Sequence, residues 1–95
     1  MRLELSRKAE ADLDDISGYS LHAFGAARAA AYLDALELAF RRILEFPEIG
    51  AVHPVVRPAA RVLGCQQHRI FYEVAGETIR IIRILHKAMD VERQL

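Results

Sequence analysis

The chain has 95 residues, 53% of them hydrophobic, and its formal net charge is zero because 13 Lys and Arg balance 13 Asp and Glu. This length predicts a single domain over residues 1–95 with one core, and the zero net charge excludes a whole-molecule field that would draw the protein onto nucleic acid or a membrane. The charge is unevenly placed, since residues 1–50 hold six Lys and Arg against nine Asp and Glu, and residues 51–95 hold seven against four. This polarity of −3 against +3 indicates two different binding surfaces.

Cysteine usage and hydropathy predict a cytoplasmic protein. Cys65 stands alone and cannot form an internal disulfide, which favours a reducing compartment. The N-terminal residues lack the apolar core of a signal peptide, and no run of 18 apolar residues could span a bilayer. We therefore expect no contact with a membrane.

A strand and a helix open the chain. The alternation in "RLEL" (Arg2–Leu5) predicts a short strand, after which Ser6 is placed to cap the first turn of a helix. Gly25 suits the left-handed backbone position that ends a helix. The apolar stripe of this helix has helical spacing and consists of Ala9, Leu13, Ile16, Ser20 and Phe24.

A second helix is predicted to begin at once and to run to about Phe46, because Pro47 forces the residue before it into extended geometry. Its apolar arc covers almost half the circumference, which is more than one contact face requires. The helix therefore packs against both the sheet and the first helix, or it keeps part of the arc for a partner. Leu38 lies on the polar face of this helix. The arc comprises Ala29, Tyr32, Leu33, Ala35, Leu36, Ala39, Phe40 and Ile43.

The second half of the chain is predicted to form a sheet. The segment "PEIGAVHPVV" (47–56) holds two prolines and a glycine and is expected to be a loop. Strands are predicted at "ARVLG" (60–64), "HRIFYEV" (68–74) and from residue 79 onward, with a hairpin turn at Ala75–Gly76. The fold class that follows is α+β with the order β-α-α-β-β-β, in which a helical hairpin packs on a small, mainly antiparallel sheet.

The last strand, "IRIIRILHKAMD" (79–90), alternates in the usual way for a strand. One face is predicted to carry Ile79, Ile81, Arg83 and Leu85, and the other Arg80, Ile82, Ile84 and His86. A two-residue turn at Ala75–Gly76 predicts the pairs Ile79–Tyr72, Ile81–Ile70 and Arg83–His68.

Cations gather where this strand ends. Arg83, His86 and Lys87 are predicted to meet His68 and Arg69 of the neighbouring strand. Arg61 could join them from the strand before. Such a patch suits phosphate or carboxylate groups. In an alternative interpretation Arg80 pairs with Glu73 or Asp90, and the histidines are structural.

The same residue types have a place in RNA cleavage. This reaction needs a base for the 2′-hydroxyl, cations on the phosphate and an acid for the leaving oxygen. His68 or His86 could supply the acid or base, with Arg61, Arg69 and Arg83 on the phosphate. The four histidines of the chain show no paired spacing typical of metal ligands, so neither a metal nor another cofactor is expected.

Several segments taken together resemble the RelE/ParE family of bacterial type II toxins, and within it the ParE branch. These segments are "LSRKAEADLDDI" with the following Tyr19, "AAAYLDALELAF", "FPEIG", "HRIFYEV" and "IRIIRILHKAMD". The resemblance implies a β-α-α-β-β-β fold, toxicity, and neutralisation by a ParD-like antitoxin that lies along the helical hairpin and could add to a sheet edge. ParE-like members act on DNA gyrase and stabilise its DNA-cleaved state, whereas RelE-like members cleave messenger RNA on the ribosome.

Two departures from the RelE pattern favour the ParE branch. The residues after His86 include no tyrosine, and the chain is not basic overall, although tight RNA binding depends on neutralising phosphates. We therefore expect a non-enzymatic gyrase inhibitor without sequence-specific nucleic-acid binding, in which Arg83→Ala abolishes toxicity and spares antitoxin binding. The predicted gyrase contacts are Arg61, Arg69, Arg83, His86 and Lys87. The predicted antitoxin contacts, or the groove beneath them, are Ile16, Tyr32, Leu36, Leu38 and Phe40.

Two other functions remain open at this point. One is a ribosome-dependent endoribonuclease that uses His68, His86, Arg61, Arg69 and Arg83 as catalytic residues. The other is a member that has lost toxicity and persists as an antitoxin-binding module.

Overall fold

The computed structural model describes residues 1–54 and 59–95. Val55 and Val56, the end of the predicted loop, lie outside the described residues. The elements in chain order are β1 (Arg2–Leu5), α1 (Arg7–Phe24), α2 (Ala26–Glu45), β2 (Ala51–Val52), β3 (Arg61–Cys65), β4 (His68–Ala75), β5 (Thr78–His86) and α3 (Val91–Gln94).

The strands form one sheet in the order β1-β5-β4-β3-β2. The pairing of β1 with β5 is parallel, and the other three pairings are antiparallel. The predicted α+β class and the mainly antiparallel sheet are thus confirmed. Two short elements were not predicted, the two-residue strand β2 and the single-turn helix α3, because neither is long enough to show a periodic pattern.

Local signals fix the helix ends. The Ser6 side chain accepts a hydrogen bond from the Ala9 N–H at 3.0 Å and so caps α1. Gly25 ends α1 with φ +84°, a value that residues with a Cβ rarely adopt, and its N–H donates to the Leu21 carbonyl. The second helix ends before Phe46, as the proline at position 47 predicts.

The helical hairpin covers one face of the sheet. Leu36, Ala39 and Ile43 on α2 are buried together with Ile16 on α1 and Ile81 on β5. The broad apolar arc of α2 is therefore used in packing against the sheet and against α1, as the first of the two interpretations proposed. None of the described helices is long and apolar enough to cross a bilayer.

The other face of the sheet holds a smaller apolar cluster. Phe71 and Leu85 are almost completely buried there, and Val62 packs beside them. Val91 of α3 completes the cluster, so the C-terminal residues fold back over this face.

The register between β4 and β5 differs from the predicted one. The turn is at Gly76 and Glu77, one residue later than expected, since Ala75 pairs with Thr78 and Gly76 has φ +59°. The predicted pairs of Ile79, Ile81 and Arg83 are therefore wrong. Their observed partners are Val74, Tyr72 and Phe71.

A bulge also reverses the predicted faces of β5. Tyr72 lies opposite Ile81 and Phe71 opposite Arg83, so Ile82 is an extra residue in the strand. Beyond this point Ile84 joins the helix-facing core, while Leu85 lies in the smaller cluster on the opposite face. The bulge brings His86, rather than Arg83, opposite His68.

Candidate functional site

Two histidines face each other where β4 begins and β5 ends. His68 pairs with His86 across the strands, and the centroids of the two rings are 5.4 Å apart in an edge-to-face arrangement. We call residues 66–69 and 86–89 the strand tip. Of the residues predicted for the cationic patch, the structure brings His68, Arg69, His86 and Lys87 together at this place.

Tyr32 connects the strand tip to the helical hairpin. Its hydroxyl lies 2.5 Å from Nδ1 of His68 and accepts a hydrogen bond from the Gln67 N–H at 3.1 Å. The neighbouring Gln66 has φ +56°, in the left-handed region that is costly for a residue with a Cβ. The contact from α2 therefore stabilises the tight turn between β3 and β4.

Burial shifts the pKa values of the groups around Tyr32 and His68. Burial lowers the pKa of His68 and the nearby His86 lowers it further, whereas the charge of Asp12 raises it in part. Burial also raises the pKa of the Tyr32 hydroxyl and that of the Cys65 thiol. Each of these three shifts, at His68, Tyr32 and Cys65, favours the neutral form of the group.

The residues after β5 form a turn that is bonded to the histidine pair. The Ala88 N–H donates to Nδ1 of His86 at 3.1 Å, and the Lys87 N–H donates to the Gln67 carbonyl at 2.9 Å. Lys87 is exposed, and its ammonium forms no ion pair with any residue that the structure describes. The Lys87 ammonium is thus accessible for contact with a macromolecule.

Arg69 lies on the opposite face of the sheet from His68. Its guanidinium donates to the Met89 carbonyl at 3.0 Å and lies 5.4 Å from the centroid of the Phe71 ring. The half-buried Arg69 therefore helps to hold the C-terminal residues in place. Its charge remains at the strand tip, because no carboxylate within the described residues is paired with it.

Arg83 is not a displayed cation, and this part of the prediction is wrong. Its guanidinium forms two hydrogen bonds with the Asp12 carboxylate, at 2.8 and 2.9 Å, and both side chains are largely buried. Another nitrogen donates to the Gln94 carbonyl. The hydrogen bonds to Asp12 raise the pKa of Arg83, so the group stays charged and neutralised inside the fold.

Asp12 also binds the backbone of β5. Its Oδ2 accepts a hydrogen bond from the Ile84 N–H at 2.9 Å, on the edge of β5 that extends past the shorter β1. Sequence reasoning missed this carboxylate because it lies 71 residues away from its partner. One signal in the sequence pointed to a buried carboxylate: Asp12 follows Ala9 by three residues and so lies beside the buried stripe of α1.

Arg61 lies away from the strand tip and was wrongly placed there. It is paired with Tyr72 in the middle of the sheet, and it donates to the Gly50 carbonyl at 2.7 Å. The Tyr72 hydroxyl accepts from the Gly50 N–H at 2.9 Å and donates to the Pro47 carbonyl at 2.7 Å. The "FPEIG" segment is thus anchored by Tyr72 and Arg61, which gives Arg61 a structural role.

The residues predicted to contact an antitoxin differ in exposure. Ile16 and Leu36 are 7% and 1% exposed and belong to the core, so of the two predicted roles only a place in the groove beneath the contacts is open to them. Tyr32 and Phe40 are half-buried, whereas Leu38 is 58% exposed.

An exposed aromatic pair was missed on the helical hairpin. Tyr19 and Phe24 are 68% and 54% exposed, and their rings meet edge to face at 6.2 Å. Phe24 was assigned to the apolar stripe of α1, but it is the last residue of the helix and lies largely outside the core. It lines a groove of about 240 Å³ that runs from the helical hairpin to the strand tip; the other lining residues are Ser20, Arg28, Tyr32 and Gln67.

Two of the three arginines predicted to hold a scissile phosphate are used elsewhere, because Arg61 and Arg83 serve structural contacts. Among the described residues of the strand tip, this leaves Arg69 and Lys87 as the cations beside the two imidazoles. Among the described residues, no three His, Cys, Asp or Glu side chains are grouped so that they could hold a metal ion.

Comparisons with known proteins agree on one family. The family model for the ParE toxin of the type II toxin–antitoxin system parDE matches residues 3–91. Toxin ParE1 of Mycobacterium tuberculosis is 39% identical over 95 residues, which cover 99% of this chain and 97% of that protein. Toxin ParE1 of Caulobacter vibrioides is 38% identical over 91 residues, which cover 96% of this chain and 94% of that protein.

A solved structure agrees with these relatives. A chain of the chromosomal ParDE toxin–antitoxin system from P. aeruginosa superposes with a TM-score of 0.78 at 27% identity, covering 90% of this chain and 95% of that one. The chain therefore belongs to the ParE toxin family of type II toxin–antitoxin systems.

Proposed function

We propose that this chain is a toxin that inhibits DNA gyrase by stabilising its DNA-cleaved state, and that a ParD-like antitoxin neutralises it. Membership of the ParE family over residues 3–91 supports the toxin role most directly. The site of action would be the cytoplasm.

The strand tip is the surface proposed to meet gyrase. It combines the exposed ammonium of Lys87, the charge of Arg69 and the edge of the His68–His86 pair on the end of a paired two-stranded ribbon. A rigid positive surface suits a DNA-bound enzyme, because complementary charge favours encounter and sets orientation. His86 and Lys87 keep their predicted roles as contacts, whereas Arg61 and Arg83 are removed from the set.

A binding role suits this surface better than catalysis. The two imidazoles already have partners at Nδ1, and two of the three arginines that would hold a scissile phosphate, Arg61 and Arg83, are engaged elsewhere. A ribonuclease would need those cations beside the reacting phosphate. We therefore propose that the chain is not an enzyme.

The antitoxin is proposed to cover the helical hairpin. Tyr19, Phe24 and Leu38 are large apolar side chains that are more than half exposed on its surface. Exposed apolar groups of this kind are typical of protein–protein contacts, and an amphipathic segment could seat its apolar side chains there. The solved chain from P. aeruginosa comes from a ParDE system, in keeping with such a partner.

The target can be tested with purified components. We expect the chain to increase the amount of cleaved DNA trapped on gyrase and to leave ribosome-bound messenger RNA intact. Cleaved messages with no trapped gyrase would replace this proposal by the endoribonuclease. Expression without antitoxin should arrest growth, and harmless expression of a folded chain would favour the non-toxic binding module.

Charge reversal at Lys87 tests the surface. Lys87→Glu should weaken gyrase trapping at least about tenfold, equivalent to about 1.4 kcal/mol of binding. The thermal midpoint and antitoxin binding should stay unchanged, because Lys87 is exposed and forms no ion pair within the described part of the chain. Lys8→Glu is the matched control, since Lys8 is equally exposed but lies in the first turn of α1. Equal trapping by both variants would remove the strand tip from the contact.

A further inference from the structure

Both imidazoles of the strand tip form a hydrogen bond through Nδ1. The Ala88 N–H points at Nδ1 of His86 at 3.1 Å. A backbone N–H can only donate, so this nitrogen must offer a lone pair, and the proton of the neutral ring is on Nε2.

The bonds around Tyr32 indicate the same state for His68. The Tyr32 oxygen accepts from the Gln67 N–H, and its own proton can then be donated to Nδ1 of His68. All three groups are satisfied when His68 is neutral with its proton on Nε2.

Addition of a proton to either ring conflicts with this arrangement. At His86 it would set an N–H against the N–H of Ala88, and that hydrogen bond would be lost. At His68 it would reverse the bond to Tyr32 and leave the hydroxyl proton without its acceptor. A second proton would face a positive ring whose centroid is only 5.4 Å away.

Titratable groups around the pair compensate only part of an added positive charge. On α1, Asp12 favours protonation of His68, but its carboxylate is already engaged by Arg83. The remaining groups on neighbouring elements are neutral or positive; they are Tyr32 on α2, Cys65 on β3, Arg69 on β4 and Lys87 after β5.

We propose that His68 and His86 form a pH-sensitive latch that is closed when both rings are neutral. A proton on His86 releases Ala88 and loosens the turn that carries Lys87, and a proton on His68 disrupts its bond to Tyr32. The latch is a property of the free chain. Its consequence for a target, a strand tip that is less ordered in acid, rests on the function proposed above.

Nuclear magnetic resonance of the full chain tests the latch without a target. Ring-nitrogen shifts near pH 7.5 should place the proton on Nε2 in both histidines. Between about pH 7.5 and about pH 5.5, the protection factor of the Ala88 amide should fall about fivefold, as expected for loss of one hydrogen bond. The Ile70 amide in β4 reports global opening and should keep its protection.

Two variants separate the latch from a general acid effect. His86→Gln cannot titrate, so the protection of Ala88 should become independent of pH. His22→Gln removes an exposed imidazole of α1 and should leave the wild-type response unchanged. A proton on Nδ1 of either ring near pH 7.5, or constant protection of Ala88 while His86 titrates, would overturn the proposal.

The two proposals can fail separately. A chain that shows the coupled titration but does not trap gyrase contradicts the proposed function and leaves the latch in place. A chain that traps gyrase and lacks the titration response contradicts the latch alone.

Discussion

The middle of the sheet and the strand tip both contain a tyrosine with polar partners, yet the two regions behave differently. Tyr72 is fully buried, and its hydroxyl bonds to the backbone at Gly50 and Pro47. Tyr32 is half-buried, and one of its partners is an imidazole. Backbone partners do not titrate near neutral pH, whereas an imidazole does. The first region is therefore fixed in structure, and the second depends on protonation.

The largest expected effect comes from the buried ion pair on the edge of β5 that extends past β1. Arg83→Ala should lower the free energy of unfolding by about 3–5 kcal/mol, because it leaves the Asp12 carboxylate buried without its partner. Urea denaturation measures this loss. Any loss of toxicity in this variant would then reflect unfolding rather than a missing contact with the target.

An exposed pair provides the control for Arg83. Arg41→Ala breaks an i, i+4 contact with Glu37 on the surface of α2 and should cost less than about 0.5 kcal/mol. Equal losses in the two variants would contradict the claim that Arg83 is a structural residue.

The next largest loss of stability is expected at Gly50, where the backbone lies close to the Tyr72 ring. A Cβ on Gly50 would lie 2.8 Å from the Tyr72 ring and 2.9 Å from the Val62 carbonyl, so Gly50→Ala should cost about 1–3 kcal/mol of stability. Gly64→Ala is the matched control, because a Cβ at that position of β3 meets nothing within 4 Å. A stable Gly50→Ala variant would show that the middle of the sheet is less rigid than the contacts indicate.

Removal of each hydroxyl compares the two tyrosines directly. Tyr72→Phe leaves the buried Gly50 N–H without an acceptor and should cost about 1–3 kcal/mol, whereas Tyr32→Phe at the partly exposed strand tip should cost about 0.5–1.5 kcal/mol. Thermal unfolding of both variants measures the difference. A larger loss for Tyr32→Phe would reverse the order of the two regions.

The smallest effect depends on pH and is confined to the strand tip. Because burial, and then His86, lower the pKa of His68, the unfolded chain binds a proton more readily than the folded one. The contribution to stability is therefore constant above about pH 6.5 and decreases as the pH falls through that value. The difference in stability between wild type and His68→Gln should show this dependence. A difference that stays constant with pH would contradict the shift.

Local patterns predicted the helices and most strand positions. The Ser6 cap, Gly25 and Pro47 act within a few residues, and the observed helix ends agree with them. The register of β5 was not predictable in the same way, because a turn displaced by one residue and the bulge at Ile82 together shift every later pair.

The strand tip was only partly predictable for the same reason. His68, Arg69, His86 and Lys87 were correctly brought together, since their places follow from the antiparallel pairing of adjacent strands. The roles of Arg61 and Arg83 were missed because their partners, Gly50 and Asp12, lie in other segments. No local pattern reveals whether a strand arginine faces solvent or a distant carboxylate.

The hydrogen bond from the Ile84 N–H to Asp12 affects whether copies of the free protein can pair along the edge of β5. A protruding strand edge is a template on which copies of a chain can stack and aggregate. A carboxylate placed on that edge, together with the Ser6 hydroxyl bonded to the Ile82 carbonyl, occupies groups that an incoming strand would need. The long fifth strand can thus extend beyond its neighbour without inviting self-association.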